Sequence, residues 1–210
     1  MSVKRGNLIV FTGPSGVGKG TVVKRLFSNI SNIEFSISVT TRKQRDNEIH
    51  GKNYFFTDRE DFEELIANDK LLEHAEFVGN YYGTPKDFVE DRLRKGIDVF
   101  LEIEVQGALQ VKNKFPEAVM LFLMPPNFEA LEERLIKRNT EPMEIIKKRL
   151  VKAKEEMKQI DLFDYRVTND DPERAAKELK EIIELQRVPP VTEKKTLVKA
   201  KVELKIPVTC

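Results

Sequence analysis

Three glycines, Gly13, Gly16 and Gly18, follow directly on the apolar run Leu8-Ile9-Val10-Phe11 and lead into Lys19, Gly20 and Thr21. A chain that turns this tightly at the end of an apolar strand and then starts a helix folds as a strand–loop–helix unit, with successive N–H groups aimed inward and the helix's positive end behind them. Lys19 adds an ammonium within reach of β and γ phosphates, so Gly13, Pro14, Ser15, Gly16, Val17, Gly18, Lys19, Gly20 and Thr21 read as a nucleotide phosphate cradle. The usual pattern places Ser or Thr right after the lysine, where its hydroxyl ligates Mg²⁺; here Gly20 stands there and Thr21 follows, so phosphate binding is expected more firmly than metal ligation by the loop. Beyond the loop, Val22, Val23, Leu26 and Phe27 recur at helical spacing over 21–28. A ligand-free glycine turn is the bland alternative, and the order strand, loop, lysine, helix argues against it.

Length and charge narrow the rest. The 210 residues suit one domain with a substantial core, and 36 basic against 35 acidic side chains give no bulk electrostatic footprint for nucleic acid or an anionic membrane. The one cysteine, Cys210, excludes an internal disulfide and a multi-cysteine metal site, and no segment reads as a signal peptide or membrane span, so a cytoplasmic protein is expected. His50 and His74 are too few and too far apart to suggest zinc and receive no role.

Strand-like and helical stretches alternate, which predicts an α/β fold. Strands are expected at 8–11, 36–39, 71–78, 97–103, 118–124 and 164–168, and helices near 58–68, from 84 to a stop at Gly96, and over 127–138, 142–160 and 173–187. Thr57 and Glu60 have the spacing of a capping box, and Thr84, Pro85 and Asp87 read as a cap and first turn. The runs 97–103 and 118–124 are apolar enough for the buried strands of a parallel sheet. Ligands of such sheets collect beyond the strands' carboxyl ends, which sets Glu102 and Glu104 near the phosphate loop. Pro189 and Pro190 end the last helix, and the segment after them alternates apolar and mostly charged residues, as an edge strand or a loose extension would.

A phosphate cradle alone does not separate kinases, GTPases and motor ATPases. Arg42 and Arg45, with hydroxyls from Tyr54 and the pair Tyr81-Tyr82, form a set suited to a second phosphate, although a solvated basic loop would carry the same charges.

Over roughly residues 6–187 the chain resembles the guanylate kinase family. The residues that carry the likeness are 13–21, Ser38-Val39-Thr40-Thr41-Arg42 with Arg45, His50 through Phe56, Glu73, Gly79 through Thr84, Leu101 through Gly107, Pro125-Pro126, Arg134, Arg138-Asn139-Thr140-Glu141, Arg149-Leu150 and Val167 through Asp170. The resemblance implies a P-loop-type parallel sheet flanked by helices, with a GMP-binding region at about 36–95, a helical lid at about 134–152, and 188–210 as an extension of a domain spanning 1–187. It implies transfer of a phosphoryl group from ATP to GMP, and by extension dGMP, in the supply of GTP and dGTP, with Mg²⁺ held mainly by the nucleotide phosphates. It implies further that Arg42, Arg45, Tyr54 and Tyr82 hold the GMP phosphate, that Ser38, Glu73, Thr84 and Glu102 face guanine, and that ATP lies on the loop with Asn169 near adenine. Arg138 and Arg149 resemble lid residues that reach the phosphates and join Lys19 and Arg42 in catalysis. A carboxylate at Glu73 suits guanine's N1–H and N2 amino donors, and hydroxyls at Ser38 and Thr84 suit its acceptors. Two departures stand out: Asn139 where glycine usually follows the lid arginine, and Glu104 where aspartate is common, which weakens the expectation of a metal contact there. An interaction module of the same fold without catalysis would be expected to lack the glycine-lysine loop this chain retains, and Ser38, Glu73 and Thr84 argue against a kinase for another acceptor, an alternative that an assay decides. No obligatory protein partner is evident.

Overall fold

The computed structural model describes residues 4–77, 79–137 and 142–187; Arg138, the break at 139–141 and the extension 188–210 lie outside them. Along the chain run β1 (Leu8–Thr12), α1 (Lys19–Phe27), β2 (Ile33–Phe35), β3 (Val39–Thr40), β4 (Phe55–Phe56) and α2 (Arg59–Ala67). Then come β5 (Leu71–Phe77), β6 (Asn80–Pro85), α3 (Lys86–Arg94), β7 (Asp98–Glu102), α4 (Val105–Lys114) and β8 (Val119–Met124). The last elements are α5 (Phe128–Lys137), α6 (Met143–Met157), a 3₁₀ turn at Ile160–Leu162, β9 (Tyr165–Thr168) and α7 (Pro172–Arg187).

Five strands form one sheet in the order β2-β7-β1-β8-β9, every pair parallel. Side chains alternate faces along a strand, so β1 sends Ile9 and Phe11 to one side and Leu8 and Val10 to the other. Ile9 and Phe11 meet Phe100, Leu121 and Leu123 under α1, α5, α6 and α7, while Leu8 and Val10 meet Val99, Leu101, Met120 and Phe122 under α3 and α4. Both faces are covered, which is why these strands read as unbroken apolar runs. Fully burying each such side chain contributes about 1.5–3 kcal/mol.

A second sheet, β4-β3-β6-β5, stands apart from the first. Its small core is Val39, Phe62 of α2 and Leu71, with the Phe62 and Tyr81 rings stacked at 5.3 Å. Gln110 of α4 ties β5 to the main body by accepting from His74 N–H (3.2 Å) and donating to His74 O (2.7 Å).

The predicted architecture holds, with local differences that have physical causes. The stretch 36–39 is not one strand: β2 ends at Phe35 in the large sheet and β3 starts at Val39 in the small one, so residues 36–38 bridge the sheets. Asp58, not Thr57, caps α2, its carboxylate accepting from Asp61 N–H at 2.8 Å; Thr57 donates its hydroxyl to Asp61 instead. Helix α3 starts at Lys86 with Pro85 in the cap position, and Thr84 stays in β6. The helix ends at Arg94 and Gly96 takes the left-handed conformation after it (φ 78°), as the glycine predicted.

Candidate active site

Loop 13–18 turns from the end of β1 into α1 at the carboxyl edge of the large sheet. Gly18 is the N-cap, with φ 98° and ψ 24°, a left-handed conformation that favours glycine. A Cβ there would also lie 2.7 Å from Asn169 Nδ2. The loop is held from behind: Val17 O accepts from Asn169 Nδ2 (2.7 Å) and Arg134 Nη1 (3.1 Å), and Arg134 Nη2 donates to Asn169 O (2.7 Å). Lys19 folds back so that its ammonium donates to Gly13 O at 2.6 Å. Arg149 of α6 donates to Ser15 Oγ through Nε (3.1 Å) and Nη2 (2.8 Å), so α6 touches the glycine loop directly.

A cavity of about 300 Å³ opens beside Lys19, walled by Ser38, Tyr54, Glu73, Tyr82, Glu102 and Glu104, with Phe35, Asn53, Ala75 and Ile103 completing it. Residues from both sheets and from the phosphate loop therefore share one chamber. Glu73, on β5, is 4% exposed, and its Oε1 accepts from Thr84 O–H at 2.7 Å. Burial pushes this carboxyl up to about 7, against the opposing pull of the Thr84 hydrogen bond and the more distant Lys114 charge. Thr84 does not line the cavity; its hydroxyl orients Glu73. The Glu102 carboxyl is raised by burial although the Lys19 charge opposes the shift.

At the cavity's outer side Arg42 is braced by aromatic faces, its guanidinium 5.3 Å from the Tyr54 ring centroid and 5.8 Å from that of Phe56, with the Tyr54 and Tyr82 rings 6.0 Å apart. Glu48, six residues on, accepts from Arg42 Nη2 with both oxygens (2.7 and 3.0 Å) and from the backbone N–H of Arg45 (3.0 Å). The Arg45 residue is exposed. Arg42, Tyr54 and Tyr82 thus come together, while Arg45 joins the group through its main chain.

Sequence reasoning missed two acids. Glu48 lies inside the basic loop, where its charge pattern gave no sign that it would hold the arginine. Glu156, 6% exposed on α6, accepts from Ser15 N–H at 3.4 Å and lies 3.6 Å from Lys152, which also donates to Glu104 at 2.8 Å. Burial and then the Glu104 charge raise Glu156; burial works against ionising Glu104 as well, but Lys19 and Lys152 outweigh it and hold Glu104 below the usual carboxylate range. The only advance signal was a helix face on which Arg149, Lys152 and Glu156 fall three and four residues apart.

No group of three or more His, Cys, Asp or Glu suited to a metal ion occurs among the described residues. Glu102 and Glu104 line the cavity beside Lys19 and Glu156 accepts from Ser15 N–H, hard oxygen donors that suit a Mg²⁺ carried largely by nucleotide phosphates with a carboxylate alongside.

A protein-family model described as guanylate kinase matches residues 5–186. The chain is 56% identical over 183 residues to a guanylate kinase of Lactococcus lactis, covering 87% of this chain and 89% of the relative. It is 57% identical over 184 residues to one of Bacillus cereus, covering 87% and 90%. Among solved structures, guanylate kinase from Anaplasma phagocytophilum superposes with a TM-score of 0.74 at 32% identity, covering 98% of this chain and all of that one.

Proposed function

Because the chain belongs to the guanylate kinase family and phosphorylates GMP with ATP, we propose a division of its residues between the two nucleotides. The observation that carries it is that Lys19 of the phosphate loop and Glu73 of the small sheet line the same cavity. In this reading residues 13–21 hold the ATP phosphates, with Asn169 as the buttress of the loop on the adenine side. Arg42, Arg45, Tyr54 and Tyr82 take the GMP phosphate, which replaces Glu48 as the partner of Arg42. Ser38, Glu73 and Glu102 face guanine, and Thr84 serves the base through Glu73. The same pocket would take dGMP, since none of these groups depends on a ribose 2′-hydroxyl.

Phosphoryl transfer asks the protein for alignment and charge rather than covalent chemistry. The acceptor is an ionised phosphate oxygen, so no general base is needed. Lys19 leaves Gly13 O for the transferred group, Arg42 steadies the acceptor, and Arg149, from its seat on Ser15, adds charge as the lid (about 134–152, including Arg138) closes and excludes water. Glu104 is the residue that would stand alongside a Mg²⁺ carried by the ATP phosphates, which would supply further neutralisation of developing charge. Residues 1–187 form the catalytic domain, the GMP region spans about 36–95, and the cytoplasm, where both nucleotides are made and used, is the compartment this reading implies.

Calorimetric titration separates the two halves. Glu73→Gln and Arg42→Ala should each weaken GMP and leave the affinity for MgATP within twofold, while Lys19→Ala should do the reverse. Parallel losses for both nucleotides in any of the three would overturn the division.

A further inference from the structure

The wall behind Glu73 is α4, and one position of its first turn determines where the carboxylate lies. A Cβ built on Gly107 would stand 2.2 Å from Glu73 Oε2, 3.0 Å from its carboxyl carbon and 3.5 Å from its Cγ. Contacts below 3 Å are not tolerated in packed interiors, so one side would have to move. Helix α4 is not free to retreat, because Gln110 grips both backbone groups of His74, the neighbour of Glu73. Nor is the carboxyl a loose tip: it is buried and its other oxygen is engaged by Thr84. The open direction is forward, into the cavity. Alanine in place of glycine would favour a helix interior by about 1 kcal/mol, so local propensity opposes the residue found here.

We propose that Gly107 is a specificity-positioning residue: the absence of a side chain at this point of α4 fixes how deep the Glu73 carboxylate sits, and hence whether a guanine edge fits in front of it. The proposal rests on the reading that Glu73 accepts hydrogen bonds from guanine. With a methyl group at 107 the carboxylate is driven towards the base, and the pocket becomes too shallow for GMP while the phosphate loop is untouched.

The test uses the full chain with steady-state kinetics in both substrates and a size-compensating partner. Gly107→Ala is expected to raise KM for GMP at least tenfold with KM for ATP within twofold. Glu73→Asp, one methylene shorter, removes the clash, so adding Gly107→Ala to it should change KM for GMP by less than threefold. Unchanged KM for GMP in Gly107→Ala, equal rises for both substrates, or a full tenfold effect persisting in the Asp background would each overturn the proposal. Should Gly107→Ala not fold alone, recovery of folded protein by Glu73→Asp supports the contact and no recovery overturns it. Glu73→Gln alone separates the two levels. If it leaves GMP affinity intact, the guanine reading itself fails; if it weakens GMP while Gly107→Ala does not, only the role of Gly107 fails.

Discussion

Burial pushes the Glu73 carboxyl up to about 7, whereas in the proposed division of residues it accepts hydrogen bonds from guanine. Below that pH the acid is neutral and loses both its charge and the capacity to accept from guanine's N1–H and N2 amino group together, so KM for GMP should rise as pH falls from 7, towards tenfold per unit. The GMP phosphate titrates near pH 6 as well, but Glu73→Gln retains only that part, and comparing the two pH profiles isolates the carboxyl. Identical profiles would refute the assignment. The sign for stability follows from the same shift: the folded protein binds this proton more tightly than the unfolded chain, whose group titrates near 4.5. Stability should therefore fall as pH rises between about 4.5 and 7, by roughly 3 kcal/mol, and urea titrations of Glu73→Gln should lack that slope. At neutral pH Glu73→Gln should cost GMP binding about 1–3 kcal/mol. Lys19→Ala should cut kcat by about 10²–10³-fold, the scale seen when one preorganised donor to developing charge is lost, as single-turnover rates would reveal. Glu73 could be singled out beforehand; its burial and its use of Thr84 could not, because both arise where β5 and β6 shift register between Leu71 and His74, which brings the Thr84 hydroxyl to the Glu73 carboxylate.

At the scale of elements, the strand–loop–helix unit around residues 13–18 was readable because its glycines, lysine and flanking strand are contiguous. What holds the loop was not, since Val17 meets Asn169 of the segment after β9 and Arg134 of α5 more than a hundred residues away. Removing Asn169's amide leaves Val17 O with Arg134 alone. Asn169→Ala should lower stability by about 1–3 kcal/mol, a melting shift of about 2–4 °C per kcal/mol, and raise KM for ATP without raising KM for GMP. Calorimetric melting paired with kinetics checks both parts; a melting change with equal effects on the two substrates would refute the buttress. The short strands of the small sheet also escaped prediction. Two-residue pairs such as Val39–Thr40 and Phe55–Phe56 carry no periodicity, and their pairing comes from neighbours distant in sequence.

For the whole molecule, one buried acid joins the two ends of the domain. Asp98 accepts from the backbone and side chain of Asn7 through Oδ1 (2.6 and 3.0 Å) and from Arg187 Nε through Oδ2 (2.7 Å), and Arg187 Nη2 continues to Ser31 O at 2.7 Å. Asp98→Ala strands a partly buried guanidinium and the Asn7 amide just ahead of β1, so unfolding free energy should drop by about 3 kcal/mol or more in urea titrations. A drop below about 1 kcal/mol would show that the staple matters little. Truncation after Arg187 keeps this staple and the whole stretch matched to the family, so melting and kcat should stay close to those of the full chain. Finally, Phe11 lies opposite Glu102 in the pairing of β1 with β7, and that pairing repeats every two residues. A single-codon deletion inside either strand would turn the acid away from the cradle, whereas exchanging one aliphatic for another beneath it would cost only a fraction of the fold. Drift can repaint this sheet but cannot slide it, and lineages of the enzyme must gather their insertions and deletions in the connecting loops.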